Sequence, residues 1–236
     1  MSRVLYPVLE LTVLKSSLQA DEVHMEIKVA LLDFDGTLVT KDVLDVLCKS
    51  IGKEKESEDL NAAFHRGELV GLEGLIGRIN FLKGMTKTQI SEILESESFL
   101  RTGCLELMNF FKQHSIITIL VSGNIIPILE YYQQLLSIDY IVGSKPQMDD
   151  ETIVGIDESA FSSKSYKLDS IQVILKEFGV TSKNIIALGD SPGDKGMFEL
   201  SHYAIAVNPK GNIADSADAV VDENLNEAVT LLEELI

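Results

Sequence analysis

The chain has 236 residues, 45% of them hydrophobic and 24% charged, with a formal net charge of −17. That length and apolar share suffice for a buried core in one or two domains, and no apolar run approaches the roughly 20 residues that span a bilayer. The acidic balance argues against nucleic acid or an anionic membrane as partner, since phosphate backbones recruit Lys and Arg, so an anionic substrate has to be met by local cations or a metal.

Residues 1–24 read as an extension of unclear status. Val4 to Leu14 has the apolar character of a signal-peptide centre after Arg3, yet Glu10 interrupts it and no clear Ala-x-Ala site follows. Met25 stands directly before the first strand pattern. Residues 28–32 predict a short strand buried on both faces, and it runs into Asp33-Phe-Asp-Gly-Thr37. In parallel sheets ligands gather at the carboxyl ends of strands. A buried strand gains nothing structural from ending in two like charges, which repel unless a cation or a shared proton relieves them. Metal-assisted chemistry is the functional reading of this stretch, and an acidic turn capping the next helix is the plain one.

Next, 42–51 carries an apolar helical stripe that Gly52 ends, and helical patterns follow over 58–66, 71–83 and 86–97. With no strand signal between 41 and 100, this stretch predicts a small all-helical cap domain inserted after the first strand, and its Gly-rich part at 67–77 predicts closure over a site. From 101 onward helices and strands alternate: helix 102–114, strand 116–121, helix 125–137, strand 140–142, helix 165–179, strand 185–188, then strands 204–207 and 219–221. Residues 152–156 form the apolar centre of a small hairpin within 145–159. The alternation predicts an α/β core over 25–40 and 101–236, a Rossmann-like parallel sheet with helices on both faces. Cys48 and Cys104 fall in no CxxC pattern, which argues against a disulfide framework or zinc and for buried thiols in a reducing, cytoplasmic setting.

Two later strand ends are also polar. Val121 is followed by Ser122-Gly123-Asn124, readable as a helix N-cap or an oxyanion site. Leu188 is followed by Gly189-Asp190-Ser191-Pro192-Gly193-Asp194. With Asp33 and Asp35 these converge on one edge of the sheet. A cation comes from the helix at 165–179, where Lys167 shares the inward face with Ile171.

On these motifs residues 25–236 resemble the haloacid dehalogenase superfamily, and within it the phosphoserine phosphatase branch. The resemblance implies Asp33 as the nucleophile that forms an aspartyl-phosphate and Asp35 as general acid and base. It further implies Mg2+ held by Asp33, the Asp35 carbonyl and Asp190, with Asp194 supporting from behind. Electrostatics asks for the same parts: a carboxylate attacking a phosphate monoester needs a hard divalent ion between the two anions. Ser122, the N–H groups of Gly123 and Asn124, and Lys167 would hold the phosphoryl oxygens.

For the substrate, the family's acidic and arginine contacts to phosphoserine fall at Asp42 and Arg78, and its cap aromatic at Gly71. The expected substrate is a small phosphorylated metabolite, phosphoserine first, with a sugar phosphate or another organic phosphate as the alternative. A receiver-like aspartyl switch is the reading of another class. An acid/base two residues after the nucleophile argues for turnover.

Overall fold

A computed structural model describes residues 26–66, 68–69, 72–156 and 166–236, apart from the side chains at 64, 65, 166 and 167. In chain order, β1 (Val29–Leu32) is followed by α1 (Val43–Ser50), α2 (Glu54–His65), α3 (Glu73–Phe81) and α4 (Lys87–Ser96). Helix α5 (Cys104–Gln113) leads into β2 (Ile117–Ile125), and α6 (Ile126–Leu136) into β3 (Tyr140–Ser144). Strands β4 (Pro146–Asp149) and β5 (Thr152–Ile156) pair antiparallel as the expected hairpin. After α7 (Tyr166–Phe178) come β6 (Ile185–Gly189), α8 (Lys195–Leu200), β7 (Tyr203–Val207), β8 (Ala219–Val221) and α9 (Asn226–Leu235).

The sheet runs β3-β2-β1-β6-β7-β8, and every neighbouring pair is parallel. β1 lies between β2 and β6, with Val29 to Leu32 in register with Ile117 to Leu120 on one side and Ile185 to Leu188 on the other. All four residues of β1 are buried. Strand alternation then divides them. Ala30 and Leu32 join the apolar cluster that holds Leu107 and Phe111 of α5 and Tyr132 of α6, while Val29 and Leu31 join Ile171 and Leu175 of α7 and Phe198 of α8. The near-continuous apolar run in the sequence has this cause, a strand covered by helices on both faces.

Helices α1 to α4 occupy the stretch between β1 and α5, where the described residues contain isolated bridges only. Their apolar faces, including Leu44, Leu47, Ile79, Leu82, Ile90 and Leu94, belong to the same cluster as Ala30 and Leu32. The α3–α4 connection is also tied to the hairpin through the backbone. Gly84 N–H donates to Ile153 O (2.8 Å), Ile153 N–H to Met85 O (2.9 Å) and Lys87 N–H to Glu151 O (2.9 Å).

Two element boundaries differ from expectation by about a helical turn. Helix α2 begins at Glu54, ahead of 58, because a polar sequence suits a helix that shows most of its surface to water, and Glu54 and Glu56 favour its positive N-terminal end. Strand β2 continues past the expected end at 121 to Ile125, and α6 follows at Ile126, close to the expected start. Helices α8 and α9 stand where the apolar pattern predicts only strands and their connections. The extension at residues 1–24 and the cap position Gly71 lie outside the described residues, as does the Lys167 side chain; Lys167 itself stands in the first turn of α7.

Candidate active site

The site starts from the turn that leaves β1. Asp33 N–H donates to Leu188 O (2.9 Å), carrying the β1–β6 pairing one residue further. Phe34 then turns into the core, its ring edge-on to Tyr132 with centroids 4.7 Å apart. Beyond the strand end the chain bends at Phe34, and Asp33 and Asp35 both line one cavity. Gly36 has φ +89°, and a Cβ there would lie 1.9 Å from Asp190 Oδ2, so both conformation and space demand glycine. Buried Arg101 clamps the turn from outside, with Nε donating to Thr37 O (2.9 Å) and Nη2 to Gly36 O (2.6 Å).

The two aspartates have different surroundings. Asp33 is 7% exposed and its Oδ2 accepts from the Thr37 hydroxyl at 2.9 Å. Asp35 Oδ1 accepts from Val43 N–H (2.8 Å), and Oδ2 from Asn124 Nδ2 (3.1 Å) and, at 3.4 Å, from the Ser122 hydroxyl. Burial, with the charge of Asp42 adding to it, pushes Asp35 up to about 7 despite these donors. A carboxyl poised there both gives and takes a proton near neutral pH.

Asp190 and Asp194 arrive from the end of β6. With Asp33 they form a buried trio whose nearest carboxylate oxygens all lie within 4.8 Å of one another. Asp194 Oδ2 accepts from Asp190 N–H (3.0 Å), Ser191 N–H (3.0 Å) and the Ser191 hydroxyl (3.2 Å), which makes it the support of the turn. Asp190 Oδ2 is buried with no hydrogen-bond donor. Lys210 Nζ is 2.6 Å from it, a Coulombic contact without hydrogen-bond alignment. A buried carboxylate oxygen without a hydrogen-bond donor, within a cluster of hard oxygen donors, fits a divalent ion such as Mg2+.

Ser122 and Asn124 depart from the expected helix N-terminus. Ser122 to Asn124 belong to the end of β2, where the pairing with β3 is irregular between Val121 and Ile125, and α6 begins with Pro127 in its first turn and no side-chain cap. Asn124 N–H, expected to face phosphoryl oxygens, is donated to Ser122 Oγ (3.0 Å), and the Asn124 side chain goes to Asp35. Its side-chain amide nitrogen lies within hydrogen-bond distance of both Asp35 carboxylate oxygens, 3.3 Å from Oδ1 and 3.1 Å from Oδ2. Gly123 lines the cavity, with its carbonyl accepting from the Ser144 hydroxyl (2.6 Å).

Asp42 and Arg78 meet at the far wall. Arg78 is buried, its Nη2 donating to Asp42 Oδ1 and Asp45 Oδ1 (2.9 Å) and its Nε to Ser57 Oγ (3.0 Å). Asp42 also caps α1, accepting from Asp45 N–H at 3.1 Å, so its capping and site positions are one. Asn61 Nδ2 reaches the other Asp42 oxygen at 3.4 Å. The cavity, about 740 Å3, spans from this group past Leu44, Leu72 and Leu75 to Asp33 and Asp190. Arg101, Asp45, Ser57 and Lys210 escaped the sequence reading. Each acts across a long sequence gap, and none sits in a recognisable pattern.

Residues 30–199 match the family model described as haloacid dehalogenase-like hydrolase. The chain is 28% identical over 211 residues to a phosphoserine phosphatase of Archaeoglobus fulgidus, covering 89% of this chain and 61% of that protein. For a phosphoserine phosphatase of Campylobacter jejuni subsp. doylei the figures are 28% over 210 residues, with 87% and 100% covered. The chain thus spans under two thirds of the A. fulgidus relative and of a Haemophilus influenzae phosphoserine phosphatase, 61% and 60% of their lengths. Among solved structures, a phospho-aspartyl intermediate analogue of a phosphoserine phosphatase superposes with TM-score 0.76 at 22% identity, covering 87% of this chain and 99% of that one. A family hydrolase from Salmonella enterica serovar Typhi reaches TM-score 0.81 at 18% identity, covering 90% and 74%. The matched model, the parallel sheet and the aspartates at the ends of β1 and β6 agree: the chain belongs to the haloacid dehalogenase-like hydrolase family.

Proposed function

We propose that the chain is a Mg2+-dependent phosphomonoester hydrolase that works through an aspartyl-phosphate on Asp33. The observation that carries this reading is the pair at the end of β1, with Asp33 joined to Asp190 and Asp194 in the acid trio and Asp35, raised to about 7, held by Asn124 beside it. Asp33 would attack phosphorus, forming the Oδ–P bond as the P–O bond to the leaving alcohol breaks. Asp35 would give its proton to that departing oxygen. In the second half Asp35 would take a proton from water as its oxygen attacks the aspartyl-phosphate, releasing phosphate and restoring Asp33. Ser122, Gly123 and Lys167 are the proposed phosphoryl contacts. Mg2+ would be held by Asp33, Asp190 and the Asp35 carbonyl, with Asp194 steadying the turn, and would supply charge neutralisation between two anions. Helices α1 to α4 would act as the cap that keeps bulk water from the intermediate.

Phosphoserine is the leading substrate, supported by the names of the relatives and by Asp42 and Arg78 on the cavity wall. One observation favours the alternative of another organic phosphate: Arg78 is already held by two carboxylates and a hydroxyl, so a substrate carboxylate would have to displace them. Phosphate release from phosphoserine, sugar phosphates and p-nitrophenyl phosphate, with Mg2+ and with EDTA, tests both readings. The expected result is Mg2+-dependent release and an acid-stable labelled phosphoenzyme in wild type, with neither in Asp33→Asn. Release undiminished in Asp33→Asn overturns the mechanism, and release from sugar phosphates alone moves the substrate to the second reading.

A further inference from the structure

The cavity lining contains three described cations. Arg78 is engaged by Asp42 and Asp45, and Lys41 pairs with Glu97 at 3.0 Å. Lys210 is the one turned toward the acid trio, with Nζ 2.6 Å from Asp190 Oδ2. Its position is not that of a casual surface lysine. Lys210 N–H donates to Asp190 O (2.7 Å), which ties the loop after β7 to the end of β6, and the loop turns sharply on either side, at Asn208 (φ +41°) and Gly211 (φ +59°). The missing side chain of Gly36 leaves the opening in which Asp190 Oδ2 and Lys210 Nζ meet, since a Cβ at 36 would lie 1.9 Å from the oxygen and 2.9 Å from the nitrogen.

We propose that Lys210 is the counter-cation of Asp190 and competes for its Oδ2 with the divalent ion that Asp190 would hold. Asp190 Oδ2 is buried and has no hydrogen-bond donor, so a cation at this oxygen is held by charge alone. The lysine side chain is 60% exposed, which lets it withdraw into solvent at little cost once a stronger cation arrives. Two cations at one carboxylate oxygen repel, so ion binding and Lys210 release are coupled. The freed ammonium then projects from a loop that borders the cavity, where it is available to an anionic substrate. Lys210 is a positioning residue in this account, acting through Asp190, and the assignment rests on the proposed Mg2+ site.

The test is Mg2+ titration of the metal-free full-length protein by calorimetry, without substrate, for wild type, Lys210→Met and Lys210→Arg. Lys210→Met is expected to bind Mg2+ about two- to fivefold more tightly than wild type, the range set by exposed ion pairs, and Lys210→Arg to stay near wild type because it keeps the charge. The rise in melting temperature on adding Mg2+ is expected to be larger for Lys210→Met than for wild type. Equal or weaker Mg2+ binding by Lys210→Met, beside normal binding by wild type, overturns the counter-cation role and leaves the phosphatase reading intact. No Mg2+ binding by wild type overturns both.

Discussion

The side-chain amide of Asn124 donates to Asp35 Oδ2 over 3.1 Å, joining residues 89 positions apart at the ends of two neighbouring strands. This bond favours the ionised carboxylate, yet burial and Asp42 outweigh it and Asp35 is raised to about 7. For a carboxyl raised above its unfolded value the sign is fixed: its contribution to stability is whole below the unfolded pKa, falls as pH rises, and is lost once the folded pKa is passed. The metal-free Asp35→Asn variant is therefore expected to gain melting temperature relative to wild type as pH goes from about 4 to about 7, then level off. Thermal melts in EDTA across that range check it, and a constant difference between the two proteins would contradict the assignment.

Gly36→Ala places a methyl where Asp190 Oδ2 lies, at a φ of +89° that other residues rarely adopt. Strain of this kind costs about 1–3 kcal/mol before the clash is counted. The expected outcome is a lowered melting temperature together with loss of Mg2+ binding, read by melts and calorimetry on the same sample.

Arg78→Ala removes the cation from between Asp42 and Asp45, side chains that are 27% and 21% exposed beside an arginine side chain at 7%. Breaking a fully buried pair costs about 3–5 kcal/mol. Partial exposure of the two acids brings the expected loss to about 2 kcal/mol, measurable by urea unfolding. If Arg78 also grips a substrate carboxylate, phosphoserine hydrolysis falls further than hydrolysis of p-nitrophenyl phosphate, and equal losses on both would assign Arg78 to the fold alone.

Backbone bonds between the α3–α4 connection and the β4–β5 hairpin restrict how the helices over the site move. Gly84, Lys87 and Ile153 amides are each bonded across that seam. Their hydrogen exchange is expected to be slow and similar in the presence of Mg2+, with or without a phosphate-mimicking fluoride complex. Immediate exchange at Gly84 and Lys87 would mean that the whole helical segment lifts away.

Much of this protein is written locally in its sequence. An apolar run at Val29 to Leu32 that breaks at Asp33, and another at Ile185 to Leu188 that breaks at Asp190, mark buried strands and their chemical ends, because burial on both faces admits no polar alternation. The alternating pattern after residue 101 likewise carries the parallel sheet. Tertiary structure alone decided the rest. Whether Ser122 to Asn124 opened a helix or closed a strand depended on the irregular β2–β3 pairing, and whether Asp42 faced solvent or Arg78 depended on how α1 packs on α3. Arg101 on the Gly36 carbonyl and Lys210 on Asp190 leave no periodic trace, since a single charged contact between distant segments takes its energy from distance and burial, which exist only after the chain has folded.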